Sequence, residues 1–318
     1  MKQSIEINLP SSARQFAFAL ALIAAMLISG NYSWAQSKTE KTFQTPEDAA
    51  TALVTVLEDR DYGKLSGLFG IDVSDLSSGD KIADKNDIAA FLERYQQMHR
   101  FANGPDGKYY LIVGAENWPM PIPLAKSDAG WYFDSAYGAK ELHYRQIGRN
   151  EFDAIEVCRN IARAQIAYYN QAHDGATHQY AEKLISTPGK KDGLYWKSAD
   201  GAEISPIGPL IAIASKEGYR AAGRHHPQEY YGYLYRLLKA QGANAPGGAK
   251  SYIEDGKMTG GFAVLAYPAK YGKSGVMTFI AGVDGLVYEK DLGTDTATVA
   301  ETIKEFDPDS SWHSLTNK

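Results

Sequence analysis

Residues 141–171 read ELHYRQIGRNEFDAIEVCRNIARAQIAYYNQ and form the longest helical pattern of the chain. The apolar side chains recur at three- and four-residue steps, the spacing that places side chains on one face of an α-helix: Phe152, Ile155, Cys158, Ala162, Ile166 and Tyr169. Gly148 is the position at which this helix would break most easily, because glycine has a low helix propensity. A long helix with one apolar face needs a layer that covers that face, so we predict that a second domain begins here.

The chain after residue 171 has the pattern of an antiparallel sheet. Five of the six Asp-Gly pairs lie there, and this dipeptide favours the left-handed positions of tight turns. The pair at 284–285 joins the last two strands as a hairpin. The predicted strands cover residues 231–237, 261–267, 276–280 and 286–289. A short helix over 209–217 and a closing helix over 299–306 complete a predicted C-terminal domain of residues 141–318.

Residues 36–140 pass from helical to strand patterns and predict an N-terminal α+β domain. Thr45-Pro46-Glu47-Asp48 opens a helix, since threonine caps, proline suits the first turn and acids favour the positive helix end. Two helices and two strands follow over residues 62–69, 84–98, 109–113 and 131–133. Residues 118–123 alternate proline with apolar residues, so they belong at a sheet edge or in polyproline geometry. The order of helices and hairpin is similar to that of NTF2-like and cystatin-like folds.

The first 35 residues have the three parts of a secretory signal peptide. Lys2 and Arg14 supply positive charge, and residues 16–28 form a short apolar run. Ser33-Trp34-Ala35 then provides the small residues of a cleavage site before Gln36. Cleavage between Ala35 and Gln36 is the prediction, and an uncleaved membrane anchor is the alternative. No second apolar run reaches 18 residues, so we expect a periplasmic or secreted protein without a stable membrane span after cleavage.

Composition excludes several classes of partner. The formal net charge is −5 at pH 7. The predicted signal segment is slightly positive, so the mature chain is slightly more negative. An acidic exported chain does not bind nucleic acid well, because phosphates repel it. The single cysteine, Cys158, cannot form an internal disulfide. Twenty-one tyrosines suit a sheet-rich core, and they also suit surfaces that bind carbohydrate or peptide.

The chain carries no motif of a common catalytic class. It has no P-loop, dinucleotide fingerprint, G-x-S-x-G elbow or H-E-x-x-H pair, so no cofactor is predicted. His225 and His226, with Glu229 nearby, would suit a metal ion, or they form an exposed loop before Pro227. The same alternatives hold for His173 and His178 beside Asp174. Cys158 lies on the apolar face of the long helix, which favours a core residue over a nucleophile.

Acidic residues raise two further hypotheses. A glycosidase needs two carboxylates across a cleft, and the candidates in this chain are Glu116, Asp134, Glu203 and Glu254. Solvated surface acids are the alternative explanation for all four. Asp284 and Asp291 would suit calcium, but they lack the EF-hand spacing, and a hairpin turn already explains Asp284.

Several runs along the chain resemble the exported bacterial family known as domain of unknown function 2950. In the second half these are residues 193–196, 205–210, 231–236, 260–263, 271–279 and 284–293. Residues 118–124 and 150–155 are similar as well. The resemblance implies an exported location and a shared fold over nearly the whole mature chain. It implies no activity, and therefore no catalytic residues.

A weaker similarity links the second half to pilin-like domains. Residues 150–169, followed by glycine-rich strands, are similar to the helix and sheet of such domains. We therefore predict a pilin-like helix-plus-antiparallel-sheet domain, with residues 141–171 as the linking helix. Pilins begin with a long apolar helix, whereas this helix is internal and polar on one face, so the pattern does not favour a pilus.

Three functions are consistent with these patterns. The leading hypothesis is a non-enzymatic exported protein that binds an unidentified envelope component or protein. Its binding surface is predicted to involve the tyrosine-rich and histidine-containing segment: Tyr231, Tyr233, Tyr235, His225 and His226. The alternative is a periplasmic hydrolase that acts on envelope glycan or peptide in a cleft between the two domains. A scaffold subunit of a pilin-like assembly is the third.

Overall fold

A computed structural model describes residues 41–77, 81–104, 106–173, 178–197, 204–208, 210–211 and 229–315. The fold is α+β with antiparallel sheets, as predicted. The chain divides into two compact units. Unit 1 consists of Met1–Val73 and Ala90–Gly138, and unit 2 of Ser74–Ala89 and Ala139–Lys318. The predicted domain boundary at residue 141 stays a prediction.

The first helix begins at the predicted cap. Helix α1 is Pro46–Glu58. The hydroxyl of Thr45 accepts the backbone N–H of Asp48 at 3.1 Å, and the Asp48 carboxylate accepts the N–H of Thr45 at 3.2 Å. This reciprocal capping box satisfies two amides that the helix itself cannot pair. Helix α2, Leu65–Phe69, ends at Gly70 in the left-handed conformation, with φ +67°.

Helix α3 and an antiparallel sheet complete the elements of the first half. Helix α3 is Lys81–Gln97 and includes the division between the units. The strands are β1 His99–Asn103, β2 Tyr109–Val113, β3 Trp118–Pro119, β4 Leu124–Ser127 and β5 Gly130–Phe133. Their order is β1-β2-β4-β5, and β3 pairs with β2. The proline-rich segment thus contributes only a two-residue strand, because proline cannot donate to a ladder.

Edge-to-face phenylalanines form part of the core of unit 1. The ring of Phe133 lies 6.3 Å from that of Phe43 and 5.1 Å from that of Phe69, with interplanar angles of 77° and 70°. All three side chains are buried. Aromatic pairs favour this arrangement because the positive edge of one ring meets the negative face of the other.

The long helix is present but its buried face differs from the prediction. Helix α4 is Ser135–Tyr169, so it starts six residues earlier than expected and continues through Gly148. Its buried apolar side chains are Ala154, Val157, Cys158, Ile161, Ala162, Ala164 and Tyr168. Phe152 and Ile166, predicted on the apolar face, are 51% and 38% exposed. The buried set includes three alanines, which allow a close approach to the neighbouring layer, beside larger side chains such as Tyr168.

A five-stranded antiparallel sheet forms the centre of unit 2. Its strands in spatial order are β14-β13-β12-β11-β6. The strands of unit 2 in chain order are β6 Tyr233–Leu238, β7 Ala240–Gln241, β8 Lys250–Ser251, β9 Ile253–Glu254, β10 Lys257–Met258, β11 Ala263–Pro268, β12 Met277–Ala281, β13 Val287–Asp291 and β14 His313–Leu315. The predicted hairpin is confirmed: Gly285 has φ +70°, and Asp284 accepts the N–H of Leu286 at 3.0 Å between β12 and β13.

Each face of this sheet carries its own apolar cluster. One cluster joins α4 to Tyr233, Val264, Phe279 and Val287. The other contains Tyr252, Phe262 and Phe306. Helix α5, Thr296–Thr302, is shorter than the predicted closing helix. The predicted helix over 209–217 lies almost wholly outside the described residues. Within the part of the chain that the structure describes, no helix is both long enough and apolar enough to cross a membrane.

Candidate functional site

Two of the three tyrosines predicted to form a binding surface face the core of unit 2. Tyr233 is fully buried, and its hydroxyl donates to the Met277 carbonyl at 2.8 Å. Tyr235 is half-buried and packs against the cluster that includes α4. Burial raises the pKa of both phenols. Both side chains lie on the face of β6 that α4 covers, because alternate positions of a strand share one face. Their predicted binding role stays a prediction.

The third tyrosine lies at a turn. Tyr231 is half-buried, has φ +49°, and stacks at an angle on Tyr230, with 4.3 Å between ring centroids. The turn is closed by two backbone hydrogen bonds between Tyr230 and Tyr233. His225 and His226 lie outside the described residues, as do Ala35 and Gln36 of the predicted cleavage site. A binding role for the Tyr231 segment therefore stays a prediction.

The carboxylates considered for a glycosidase pair each have a separate partner. Glu116 lies 3.8 Å from Arg94, and Asp134 forms an ion pair with Lys108 at 2.5 Å. Glu254 accepts the hydroxyl of Thr259 at 2.6 Å. Glu203 lies outside the described residues. Three of the acids therefore have three different partners, and a glycosidase pair stays a prediction.

The remaining sequence candidates have structural surroundings. Burial raises the pKa of the Cys158 thiol to about 12, which suppresses the reactive thiolate. His173 is buried and stacks on Tyr168 at 4.0 Å, while His178 lies edge-on to Tyr169. Asp291 accepts the N–H of Gly293 and the hydroxyl of Tyr271. In the described ranges, no three His, Cys, Asp or Glu side chains lie close enough together to hold a metal ion.

A polar contact between α4 and the start of β12 was not predicted. One carboxylate oxygen of Glu151 accepts the backbone N–H groups of Val276 and Met277, at 2.9 and 3.0 Å. The side-chain amide of Asn150 donates to the Ser274 carbonyl at 2.8 Å. We call this contact the α4–β12 junction. It pairs backbone groups of residues 274–277, which lie at and just before the first residue of β12.

Two glycines allow the junction to close. A Cβ atom at Gly232 would lie 2.5 Å from the Asn150 amide nitrogen, and one at Gly275 would collide with the phenol of Tyr233. Both glycines belong to runs that carry the family resemblance, as do Asn150 and Glu151. Distant segments of the chain therefore converge at the junction through close packing.

Beside the junction lies a second carboxylate. Glu289 of β13 is half-buried and sits opposite Phe279 on one side and His313 on the other. Burial raises the pKa of Glu289, the charge of Glu151 raises it further, and His313 opposes the change. Within the described part of the chain, no hydrogen bond reaches the Glu289 carboxylate. The sequence did not predict that Glu289 would lie near Glu151, because 138 positions separate the two residues.

Unit 1 presents a line of three aromatic rings on one face of its sheet. The rings of Phe101 and Tyr109 are stacked with centroids 5.4 Å apart and planes 6° apart. The ring of Trp131 lies 5.4 Å from that of Tyr109, tilted by 39°. All three side chains are half-buried. We call these three residues the aromatic row.

The aromatic row extends the sheet face that carries the core of unit 1. Tyr109 and Trp131 each precede, by two positions, a side chain that is almost completely buried, namely Leu111 and Phe133. Side chains two positions apart in a strand lie on the same face. The alternation of residues 109–113 and 131–133 could therefore have revealed the face, although only the structure shows that these rings stay half-exposed at its end.

One lysine lies on a ring of the aromatic row, and a second lies on the neighbouring ring of Phe43. The ammonium nitrogen of Lys126 is 5.6 Å from the centre of the Trp131 ring, and that of Lys41 is 5.3 Å from the Phe43 ring. Phe43 pairs with Trp131 through two backbone hydrogen bonds of 2.7 and 2.8 Å. Among the described residues, neither ammonium has a carboxylate within ion-pair distance. The row therefore combines flat apolar faces with positive charge.

Comparison with known proteins identifies the family. The family model described as Protein of unknown function (DUF2950) matches residues 40–315. The chain belongs to this family, as its motifs predicted. Searches among curated proteins and among solved structures found no match. The pilin-like, NTF2-like and cystatin-like parts of the fold prediction are not confirmed.

Proposed function

We propose that this member of the DUF2950 family is an exported protein of the bacterial envelope, periplasmic or secreted, which binds an envelope component without catalysing a reaction. The observation that carries the proposal is the aromatic row of Phe101, Tyr109 and Trp131. Binding sites for small molecules and chains use apolar rings to gain contact area, with a few polar groups beside them.

The geometry of the aromatic row differs from that of the neighbouring core. Core rings of unit 1 are buried and meet edge to face. The rings of Phe101 and Tyr109 are nearly parallel, and together with Trp131 they are still partly exposed to solvent. Partly exposed rings keep apolar area that a ligand would remove from water, and such burial contributes about 25 cal/mol per Å².

Substitution of Trp131 by alanine tests the binding role. Envelope extract is passed over the immobilised mature protein, and retained material is quantified for wild type, Trp131→Ala and Trp312→Ala. Trp312 is a matched control, since it is a half-buried tryptophan of unit 2 with the ammonium of Lys290 at 5.7 Å from its ring. We expect loss of retention for Trp131→Ala alone. Equal retention by all three proteins would refute the role of the row.

Export is tested separately by sequencing the N-terminus of the protein recovered from the exported fraction. The apolar run of residues 16–28 and the small residues before Gln36 support cleavage after Ala35. We expect the mature chain to begin at Gln36. A chain that retains its first residues and stays in the membrane fraction would support the uncleaved anchor instead.

A second candidate function is a hydrolase that acts on envelope glycan or peptide. Glu151 and Glu289 favour it, because two backbone amides hold the first carboxylate in place while burial and like charge raise the pKa of the second. Neighbouring carboxylates in unlike surroundings can divide the roles of base and acid. Turnover of cell-wall fragments that is lost in Glu289→Gln but kept in Glu254→Gln would support it. An inactive wild-type protein across a range of pH would exclude it.

A further inference from the structure

We infer that the ligand of the aromatic row is an acidic saccharide chain, that is, a sugar polymer with carboxylate groups. This inference rests on the proposed binding function and names its ligand class. It stands on the combination of stacked, partly exposed rings with the ammonium group of Lys126, which lacks a carboxylate partner among the described residues.

The charge at the aromatic row is the reverse of that of the whole chain. The net charge is −5, yet Lys126 and Lys41 place two ammonium groups on neighbouring rings. Lys108 of the same unit shows the contrast, because the Asp134 carboxylate neutralises it at 2.5 Å. An ammonium without a partner gains most from a ligand carboxylate, since charge-assisted hydrogen bonds are the stronger class.

The shape of the aromatic row favours a saccharide. Sugar rings offer flat C–H faces to aromatic rings and hydroxyl groups to water, so they suit half-exposed stacked rings. The row draws its rings from β1, β2 and β5, and it is therefore long enough for a chain of sugar units. A single sugar would leave part of the row uncovered.

Two other polymers fit less well. An extended peptide can bind by adding a strand to a sheet edge, but at the β5 edge the backbone of Trp131 is already paired with Phe43. A nucleic acid requires many cations to offset its phosphates, whereas the row has Lys126 and, on the neighbouring Phe43 ring, Lys41. The chain as a whole is acidic.

The test uses two probes with the same sugar backbone, a short oligogalacturonate and its uncharged methyl ester. Their affinities for the full mature protein are measured by calorimetry at neutral pH and low salt. We expect the acid to bind roughly tenfold more tightly than the ester, as one charge-assisted contact implies. Lys126→Gln should remove this difference by weakening only the acid. Lys290→Gln, which removes the lysine beside Trp312, should change neither affinity.

The outcomes separate this inference from the binding function. If acid and ester bind equally and Trp131→Ala abolishes both, the ligand class is wrong and the aromatic row still binds. If Lys126→Gln and Lys290→Gln weaken the acid equally, attraction is diffuse and the inference fails. If neither probe binds, the inference also fails. The binding function is then tested only by comparing how much envelope material wild type and Trp131→Ala retain.

Discussion

Replacing Glu151 with alanine removes the acceptor that holds the start of β12. The side chain accepts two backbone amides, those of Val276 and Met277, at 2.9 and 3.0 Å. A hydrogen bond to a charged group contributes about 1.5–3 kcal/mol. Both bonds end on one oxygen of a half-buried side chain, so water can replace part of the loss. We therefore expect a cost of about 2–4 kcal/mol in the local stability of unit 2.

Glutamine at the same position is the matched control. Its carbonyl oxygen can accept the same two amides, so Glu151→Gln loses only the charge. It also removes the like charge beside Glu289, which offsets part of that loss. We expect the cost for Glu151→Gln to stay below about 1 kcal/mol, since neutral hydrogen bonds contribute about half as much as charged ones.

Amide hydrogen exchange measures the effect at the bonds themselves. In Glu151→Ala, the protection of the amides of Val276 and Met277 should fall by roughly 30- to 1,000-fold, which corresponds to the expected free energy. Amides of β2 in unit 1 serve as the internal reference and should not change. Unchanged protection in Glu151→Ala, or an equal loss in the glutamine and alanine variants, would refute the assignment of Glu151 as the acceptor that stabilises the junction.

Three further substitutions and the reactivity of Cys158 have predictable outcomes. Glu289→Gln should raise the free energy of unfolding at pH 7, because the raised pKa means that ionised Glu289 destabilises the folded state. In urea titrations, this gain in stability should shrink as the pH falls from above the pKa of Glu289 in the folded protein to below its ordinary pKa near 4.5. At that pH the wild-type carboxyl is protonated as well. A gain that does not change with pH would contradict the prediction. Gly148→Ala should stabilise α4 by about 0.5–1 kcal/mol, since the new Cβ atom meets nothing within 4 Å. Gly275→Ala should destabilise unit 2 by about 1–3 kcal/mol, because its Cβ atom would collide with Tyr233. Thermal melts that rank the two variants in the opposite order would refute this prediction. Cys158 should not react with a thiol reagent until the chain unfolds, because burial raises its pKa to about 12; rapid labelling of the folded protein would show otherwise.

Local rules in the sequence predicted the elements that depend on local chemistry. The capping box of Thr45 and Asp48 and the Asp284-Gly285 hairpin are both present, because each depends on residues only a few positions apart. The strand over Tyr109–Val113 has its predicted bounds. The periodicity of α4 predicted a helix but did not predict which of its side chains are buried. Its apolar positions surround more of the helix than one face, so the pattern alone could not decide that Phe152 would be exposed and Ala154 buried.

The candidate sites could not be predicted because they depend on which sheet face is covered. Alternation along β6 correctly put Tyr233 and Tyr235 on one face, but the same pattern describes a core face and a binding face. The distinction comes from α4, which covers that face of unit 2. In unit 1, the same alternation leaves Tyr109 and Trp131 half-exposed two positions away from buried side chains.

A tyrosine-rich segment therefore does not identify a binding surface, because tyrosine suits both a protein core and a binding surface. In the core, the hydroxyl of Tyr233 finds the Met277 carbonyl, and the ring contributes apolar area without an unpaired polar group. A surface role requires rings that stay accessible and polar groups that lack protein partners. Only the aromatic row combines the two among the sites argued above, with Trp131 partly exposed and the Lys126 ammonium beside it. That combination arises from the pairing of β4 with β5, a contact that composition cannot reveal.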